Sequence, residues 1–290
     1  MSDSHLSHTT YNLPLKIDAH QHFWKYDPVR DSWFTDEMPV IRRDFFPEHL
    51  HPILQENNFD GCVAVQADQS EADTDFLLDL AGKNNFIKGV VGWVDLQSKK
   101  LEERLEHYKQ FNKLKGFRHV LQGEKDRSFM LQPEFTRGIK ALQQFNFTYD
   151  ILIFPDQLQY TKKFAAMFPQ QKFVIDHLAK PTVKEKKIDE WKKDIEAIAE
   201  YQNVCCKISG LVTEADWKNW NKYDLTPYID VVVNAFGTDR IMFGSDWPVC
   251  LLAASYGKML DIVKDYFSSF SKEDREKFFG GNAINFYNLN

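Results

Sequence analysis

The sequence predicts a single (β/α)8 barrel, and three features of its 290 residues lead there. Short, β-branched apolar runs recur about eight times, separated by segments whose apolar residues fall at i, i+3 and i+4 spacing. Strands that alternate with helices pair in parallel and are covered on both faces. Several of the runs also end in polar side chains, as expected where chemistry sits at the C-terminal mouth of a barrel. An open dinucleotide-binding sheet would need a Gly-rich first turn, and neither G-x-G-x-x-G nor a P-loop is present.

The first run, LKIDAH (15–20), leads into the stretch KIDAHQHFW. Regular alternation would put Asp18, His20 and His22 on one face and Ile17, Ala19 and Gln21 on the other. The second run, DGCVAVQA (60–67), is followed by the helical pattern EADTDFLLDLAGKNN. The third, IKGVVGWVDL (87–96), is followed by SKKLEERLEHYKQFNK. The fourth, LKGFRHVL (114–121), precedes PEFTRGIKALQQFN, and the fifth, FTYDILIF (147–154), precedes LQYTKKFAAMFPQ. The sixth, KFVIDHLA (172–179), and the seventh, VCCKISGL (204–211), are followed by IDEWKKDIEAIAEYQ and TPYIDVVVNAFG. The eighth is RIMFGSDW (240–247). Residues 1–14 read as a disordered or extended leader, and 15–290 as the barrel domain.

Composition narrows the function. A hydrophobic content of 43% supports a substantial core, and a net charge of −6 argues against a nucleic-acid binder, which would carry a basic footprint. No apolar stretch is long enough to cross a bilayer, and the opening MSDSHLSHTTYNLPLK lacks the pattern of a secretory signal. Cys62, Cys205, Cys206 and Cys250 have no Cys-x-x-Cys spacing and read as reduced, mostly buried thiols of a cytoplasmic protein. Barrels of this size occur alone and in assemblies, so the pattern carries no oligomeric state.

The polar strand ends form the candidate site. They are His20 and His22 on the first strand, Arg118 and His119 on the fourth, and Asp176 and His177 on the sixth. The seventh adds Lys207 and Ser209, and the eighth adds Asp246, followed by Trp247 and Pro248. Three imidazoles and a carboxylate suit one divalent cation, zinc above all. They can also work without metal, the carboxylate as base for a water and the imidazoles and Arg118 as donors to developing negative charge. Either use is hydrolytic chemistry at a polarised carbonyl. Only one of Arg118 and His119 faces inward on a regular strand. In the segment FWKYDPVRDSWF, Trp24, Tyr26, Trp33 and Phe34 interleave with Lys25 and Arg30, a composition that fits a polyhydroxylated ring or simple packing of the mouth. His49, His51 and His107 read as surface residues.

The motifs IDAHQHFWKYDP, GFRHV, FVIDHLAKP, CKISGLV, IMFGSDWPV and FFGGNAINFYNL together resemble the amidohydrolase-2 group of metal-dependent hydrolases, within it the sugar-lactonase branch. The resemblance runs from about residue 15 to the end. It implies a distorted (β/α)8 barrel that opens a small sugar-acid lactone of the L-fuconolactone or L-rhamnonolactone type. It carries His20, His22, His177 and Asp246 over as catalytic residues, and as the ligands of a metal where one is bound. It leaves both metal-bound and metal-free catalysis open, and no residue on the fourth strand suits a bridged pair of metals. Arg118, His119, Trp24, Lys207 and Trp247 are the candidate substrate contacts. The rival functions are a metal-dependent decarboxylase of the same superfamily and a non-catalytic sugar-binding barrel.

Overall fold

The computed structural model describes residues 14–289. All but one residue of the expected leader lie outside that range. Eight parallel strands follow one another around a single sheet in chain order. They are β1 (Ile17–Gln21), β2 (Gly61–Val65), β3 (Ile87–Gly92), β4 (Leu114–His119), β5 (Thr148–Ile151), β6 (Phe173–Ile175), β7 (Val204–Ile208) and β8 (Ile241–Phe243). The helices after the first seven strands begin with α1 (Pro47–Glu56), α2 (Glu71–Lys83), α3 (Leu101–Tyr108), α4 (Pro133–Gln144), α5 (Leu158–Met167) and α6 (Asp189–Ala199). A short α7 (Leu211–Glu214) and a long α8 (Lys222–Phe236) follow β7. After β8 come α9 (Tyr256–Tyr266), α10 (Lys272–Glu276) and α11 (Asn282–Tyr287). No helix among the described residues is long and apolar enough to cross a membrane.

Two apolar layers hold the barrel. The outer one joins strand residues such as Cys62, Phe117, Tyr149 and Phe243 to the helices. The inner one, with Ile17, Ala19, Val63, Val91, Val174 and Met242, fills the barrel floor and takes in Phe286, Tyr287 and Leu289 from the chain's end. The C-terminal helix α11 therefore plugs the bottom of the barrel, and the polar residues are left to the top.

The barrel closes at the future site. The Asp246 amide donates to the His20 carbonyl at 2.8 Å and the His22 amide to the Trp247 carbonyl at 2.7 Å. Gln21 and Trp247 form a parallel bridge across this seam. Gly244 lets β8 come this near, since a Cβ there would lie 2.6 Å from the His20 Cβ.

Strand β1 departs from regular alternation. Asp18 is level with Cys62 and Gln21 with Ala64, so three steps on β1 match two on β2, the mark of a β-bulge. The bulge turns Asp18 away from His20 and His22. Its carboxylate instead accepts from the Ser245 amide at 2.9 Å and the His20 amide at 3.2 Å. The face-sharing expected for Asp18, His20 and His22 thus fails, because one extra residue shifts the phase between Asp18 and His20.

Candidate active site

Four groups converge at the seam. The His20 and His22 Nε2 atoms lie 3.2 Å apart. Asp246 Oδ1 lies 3.4 Å from His22 Nε2 and 3.9 Å from the Nε2 atoms of both His20 and His177. All four residues are buried.

Strained backbone delivers two of them. Asp246 has φ 56°, and His177 opens a run of four left-handed residues through Lys180 with φ between 51° and 57°. Left-handed backbone costs an L-residue roughly 1–2 kcal/mol, so such a run persists only where its surroundings fix it. Leu178 and Ala179 are fully buried, and the Trp191 indole donates to the Leu178 carbonyl at 2.8 Å. The sequence run KFVIDHLA therefore yields only three strand residues before the chain turns.

Beneath these groups lies a second polar layer inside the barrel. Arg118 and Asp150 are level on β4 and β5. Lys207 Nζ lies 2.5 Å from Asp150 Oδ2 and 3.0 Å from Asp176 Oδ1, with all three side chains fully buried. Arg118 Nη1 donates to Asp176 Oδ2 at 3.1 Å, and its Nη2 donates to the Gln66 carbonyl. The Tyr287 hydroxyl reaches up from the plug and donates to Asp150 Oδ2 at 2.7 Å. Burial works to raise the Asp176 carboxyl, but Lys207, His20 and Arg118 together hold it well below the usual range. Burial likewise works on Asp246, and the imidazoles of His177, His22 and His20 overcome it and lower its carboxyl. Burial pushes His20 well below its ordinary value and His177 down to about 4, so both imidazoles are neutral.

The donor set fits a cation. The His22 Nδ1 lies 2.8 Å from the Val65 carbonyl, which can only accept, so the proton sits on Nδ1 and Nε2 presents a lone pair to the cluster. The His177 Nδ1 meets the Ser209 hydroxyl at 2.9 Å, leaving its Nε2 free to face Asp246. A tetrahedral site with bonds of about 2.0–2.2 Å has ligand atoms about 3.3–3.6 Å apart, the scale of the spacings around His22. Ligand atoms of His20, His177 and Asp246 lie within 4.8 Å of one another. Asp150, Asp176 and Asp246 also outnumber Lys207 and Arg118 in this buried space, an excess that a cation would compensate.

An amidohydrolase family model matches residues 17–289. The chain belongs to the amidohydrolase family. An L-fucono-1,5-lactonase of Burkholderia multivorans is 40% identical over 286 residues, spanning 95% of this chain and 96% of its own. A second L-fucono-1,5-lactonase, of Burkholderia ambifaria, is 34% identical over 281 residues, 96% of this chain and 97% of its own. The crystal structure of a B. multivorans amidohydrolase with bound zinc superposes with a TM-score of 0.92 at 40% identity. It covers 95% of this chain and 100% of the other.

Among the candidate substrate contacts, this amidohydrolase barrel turns Arg118 inward and His119 outward. His119 stacks on Phe129 at 5.3 Å and meets Glu124 at 2.8 Å, apart from the imidazole cluster. Lys207 lies in the second polar layer, where Asp150, Asp176 and His20 Nδ1 (3.1 Å) occupy its ammonium. Trp247 packs edge-on to Phe23 and Phe45, facing the outer core. Trp24 is buried against Phe34 and Phe45 with its ring 6.4 Å from that of His22, so it borders the cluster. Tyr26 stacks on Phe34, while Trp33 keeps 49% of its surface exposed. His49, His51 and His107 stay on helices α1 and α3, outside the cluster. All four cysteines are free, and Cys205 is the one not fully buried.

Asp150 and Tyr287 join the polar layer although the sequence patterns did not single them out. Asp150 reads as one polar residue in an apolar strand, and Tyr287 as one more aromatic of the closing motif FFGGNAINFYNL. A buried Asp in FTYDILIF demands a partner, which is the signal that could have found both.

Proposed function

We propose that this barrel hydrolyses a small sugar-acid lactone of the L-fuconolactone or L-rhamnonolactone type to the open hydroxy acid. The observation that carries the reading is Asp246 at the mouth, its carboxylate within 3.9 Å of three imidazole Nε2 atoms. The extended similarity to two L-fucono-1,5-lactonases supports the substrate class.

His20, His22, His177 and Asp246 would hold a divalent cation, with zinc suited to the set, and the bound ion supplies Lewis-acid polarisation and acidifies water. The chain's own residues do the rest. Asp246, lowered well below the usual carboxylate range, is ionised at neutral pH and accepts a proton from the attacking water. The water oxygen bonds to the ring carbonyl carbon, and the positive charge of Arg118, in the layer beneath and 3.3 Å from His20 Nε2, favours the negative charge that develops on the carbonyl oxygen. As the tetrahedral intermediate collapses, the bond from carbonyl carbon to ring oxygen breaks, and protonated Asp246 returns its proton to that oxygen. The His22 Nδ1–H bond to Val65 keeps its Nε2 aimed at Asp246 throughout. Trp24 beside His22 offers an apolar wall. The enzyme acts on a small molecule in the cytoplasm, where four unpaired cysteines stay reduced. The site belongs to one barrel domain, read as residues 15–290.

Each turnover converts a neutral lactone into an ionised acid, so proton release reports it. Stereoselective acid production from L-fucono- or L-rhamnonolactone, absent in Asp246→Asn, is the expected result. Failure to open any aldonolactone while releasing carbon dioxide from a carboxylated aromatic would replace the reading with a decarboxylase.

A further inference from the structure

Three side chains from the ends of neighbouring strands meet beside the cluster and have no part in the chemistry above. Lys180 ends the left-handed turn that His177 begins, and its amide donates to the His177 carbonyl at 2.7 Å. Its ammonium lies 3.5 Å from Glu214 Oε1 on α7 and 5.8 Å from the Phe154 ring, which follows β5. Glu214 is tied to the site as well, because α7 follows directly on its N-cap Gly210, where a Cβ would lie 2.6 Å from His177 Nδ1.

The trio is built unlike a structural ion pair. A close charge-assisted pair spans about 2.7–2.9 Å, so a 3.5 Å contact leaves both partners short of bonds. Each side chain is about one-fifth exposed, and among the described residues neither makes another polar contact shorter than this one. Phe154 keeps 39% of its surface exposed, even with the Arg127 guanidinium 5.9 Å from its ring, at a mouth where most large aromatics are buried. Burial raises the Glu214 carboxyl; Lys180 opposes that rise and the Asp246 charge adds to it, so Glu214 stands within the field of the reacting carboxylate. An aromatic face, a carboxylate with free lone pairs and an ammonium with free protons complement a polyol ring. The C–H face of the ring covers the aromatic, hydroxyls donate to the carboxylate, and hydroxyl oxygens accept from the ammonium.

We propose that Phe154, Lys180 and Glu214 form the subsite that reads the ring hydroxyls of the lactone, an inference that rests on the lactonase reading. Sites that hydrogen-bond substrate hydroxyls discriminate strongly against analogues lacking them, because the site's polar groups are then left unpaired. The test compares a polyhydroxylated aldonolactone with unsubstituted δ-valerolactone in the wild type, Glu214→Gln, Lys180→Met and Phe154→Ala. The expected result is that kcat/KM for the hydroxylated lactone falls at least about tenfold further than for valerolactone, mainly through KM. Weaker binding of the product acid in the same variants, followed by calorimetry, accompanies it. Equal losses on both lactones, or no loss on either, would overturn the subsite and leave the lactonase reading standing. A wild type that opens neither lactone would overturn both.

Discussion

His20 Nε2 lies 3.2 Å from His22 Nε2, and of the two only His20 can carry the proton there. His22 has its own proton fixed on Nδ1 by the Val65 carbonyl. His20 Nδ1 has two neighbours that ask for opposite tautomers, the Lys207 ammonium at 3.1 Å and Asp176 Oδ1 at 3.2 Å. With Lys207 as donor, His20 carries Nε2–H and gives it to His22. With Asp176 as acceptor, His20 carries Nδ1–H, and its Nε2 lone pair can accept from Arg118 Nη1 at 3.3 Å or face a cation. The His20 tautomer therefore bears on any ion that the proposed site holds, and zinc affinity should depend on the imidazoles and on the groups that orient them. Zinc titrated against a chromogenic chelator is expected to bind once per chain. Binding should be lost in His22→Ala and weakened about tenfold in Ser209→Ala, which frees the His177 Nδ1. Equal affinity in all three proteins would remove the imidazoles from the site of the ion.

Asp246→Asn keeps the shape of the side chain and removes its capacity to take a proton. kcat should fall on the order of 10²–10⁴ with KM little changed, since the base acts in the transition state and not in holding the ring. Steady-state kinetics by proton release would measure this. A rise in KM with kcat preserved would make Asp246 a binding residue.

Much of this arrangement was legible in the sequence. All eight strand runs could be read from periodicity, because parallel strands buried on both faces leave an apolar signature, and polar residues stood out at the ends of five of them. Helices α1, α7, α9, α10 and α11 are not among the helical segments read from the sequence, and α7, α10 and α11 are too short to show a period. α1 lies beyond a long aromatic loop and has Pro52 in its interior, while α9 falls past the last strand run. The facing of β1 was misjudged because a bulge leaves no mark in a one-dimensional alternation, and it was the bulge that separated Asp18 from His20. The left-handed run after Asp176 was equally hidden, since Leu178 and Ala179 have no preference for positive φ. Which of Arg118 and His119 faces inward depended on register alone, and Arg118 opposite Asp150 decided it.

Tyr287→Phe tests whether the plug helix is coupled to the polar layer. Asp150 Oδ2 accepts from both Tyr287 and Lys207, while its Oδ1 has no partner. Removing the phenol leaves a buried carboxylate with one donor, a loss of about 1.5–3 kcal/mol for a hydrogen bond to a charged group. Urea unfolding should show that loss, and an unchanged midpoint would mean that Asp150 finds another donor.

Asp73 provides a pH signature remote from the site. Burial raises its carboxyl from 3.8 to about 6, against the opposing amides of Ala67 and Asp68. The folded state therefore holds this proton more tightly than the unfolded chain. The resulting stabilisation is complete below the unfolded pKa and is lost as pH rises through about 6. Relative to Asp73→Asn, the wild type should lose on the order of 1–3 kcal/mol between about pH 4 and pH 7.5. Parallel urea titrations across that range would show it, and a constant difference would place Asp73 in water.

Gly210→Ala should damage the site more than the fold. Gly210 sits at φ +65°, and a Cβ there would lie 2.6 Å from His177 Nδ1 and 2.8 Å from its Cγ. The ring cannot simply retreat, because Ser209 holds Nδ1 and the buried left-handed turn holds the backbone behind it. The backbone cost of alanine at positive φ is roughly 1–2 kcal/mol, which a barrel with this much buried core tolerates. Moving the imidazole by about 1 Å is the larger effect, worth on the order of a hundredfold in rate. Turnover should therefore drop by about that factor in a protein that still unfolds cooperatively, and zinc affinity should drop with it. Full activity in Gly210→Ala would show that His177 need not stand where the seam of the barrel puts it.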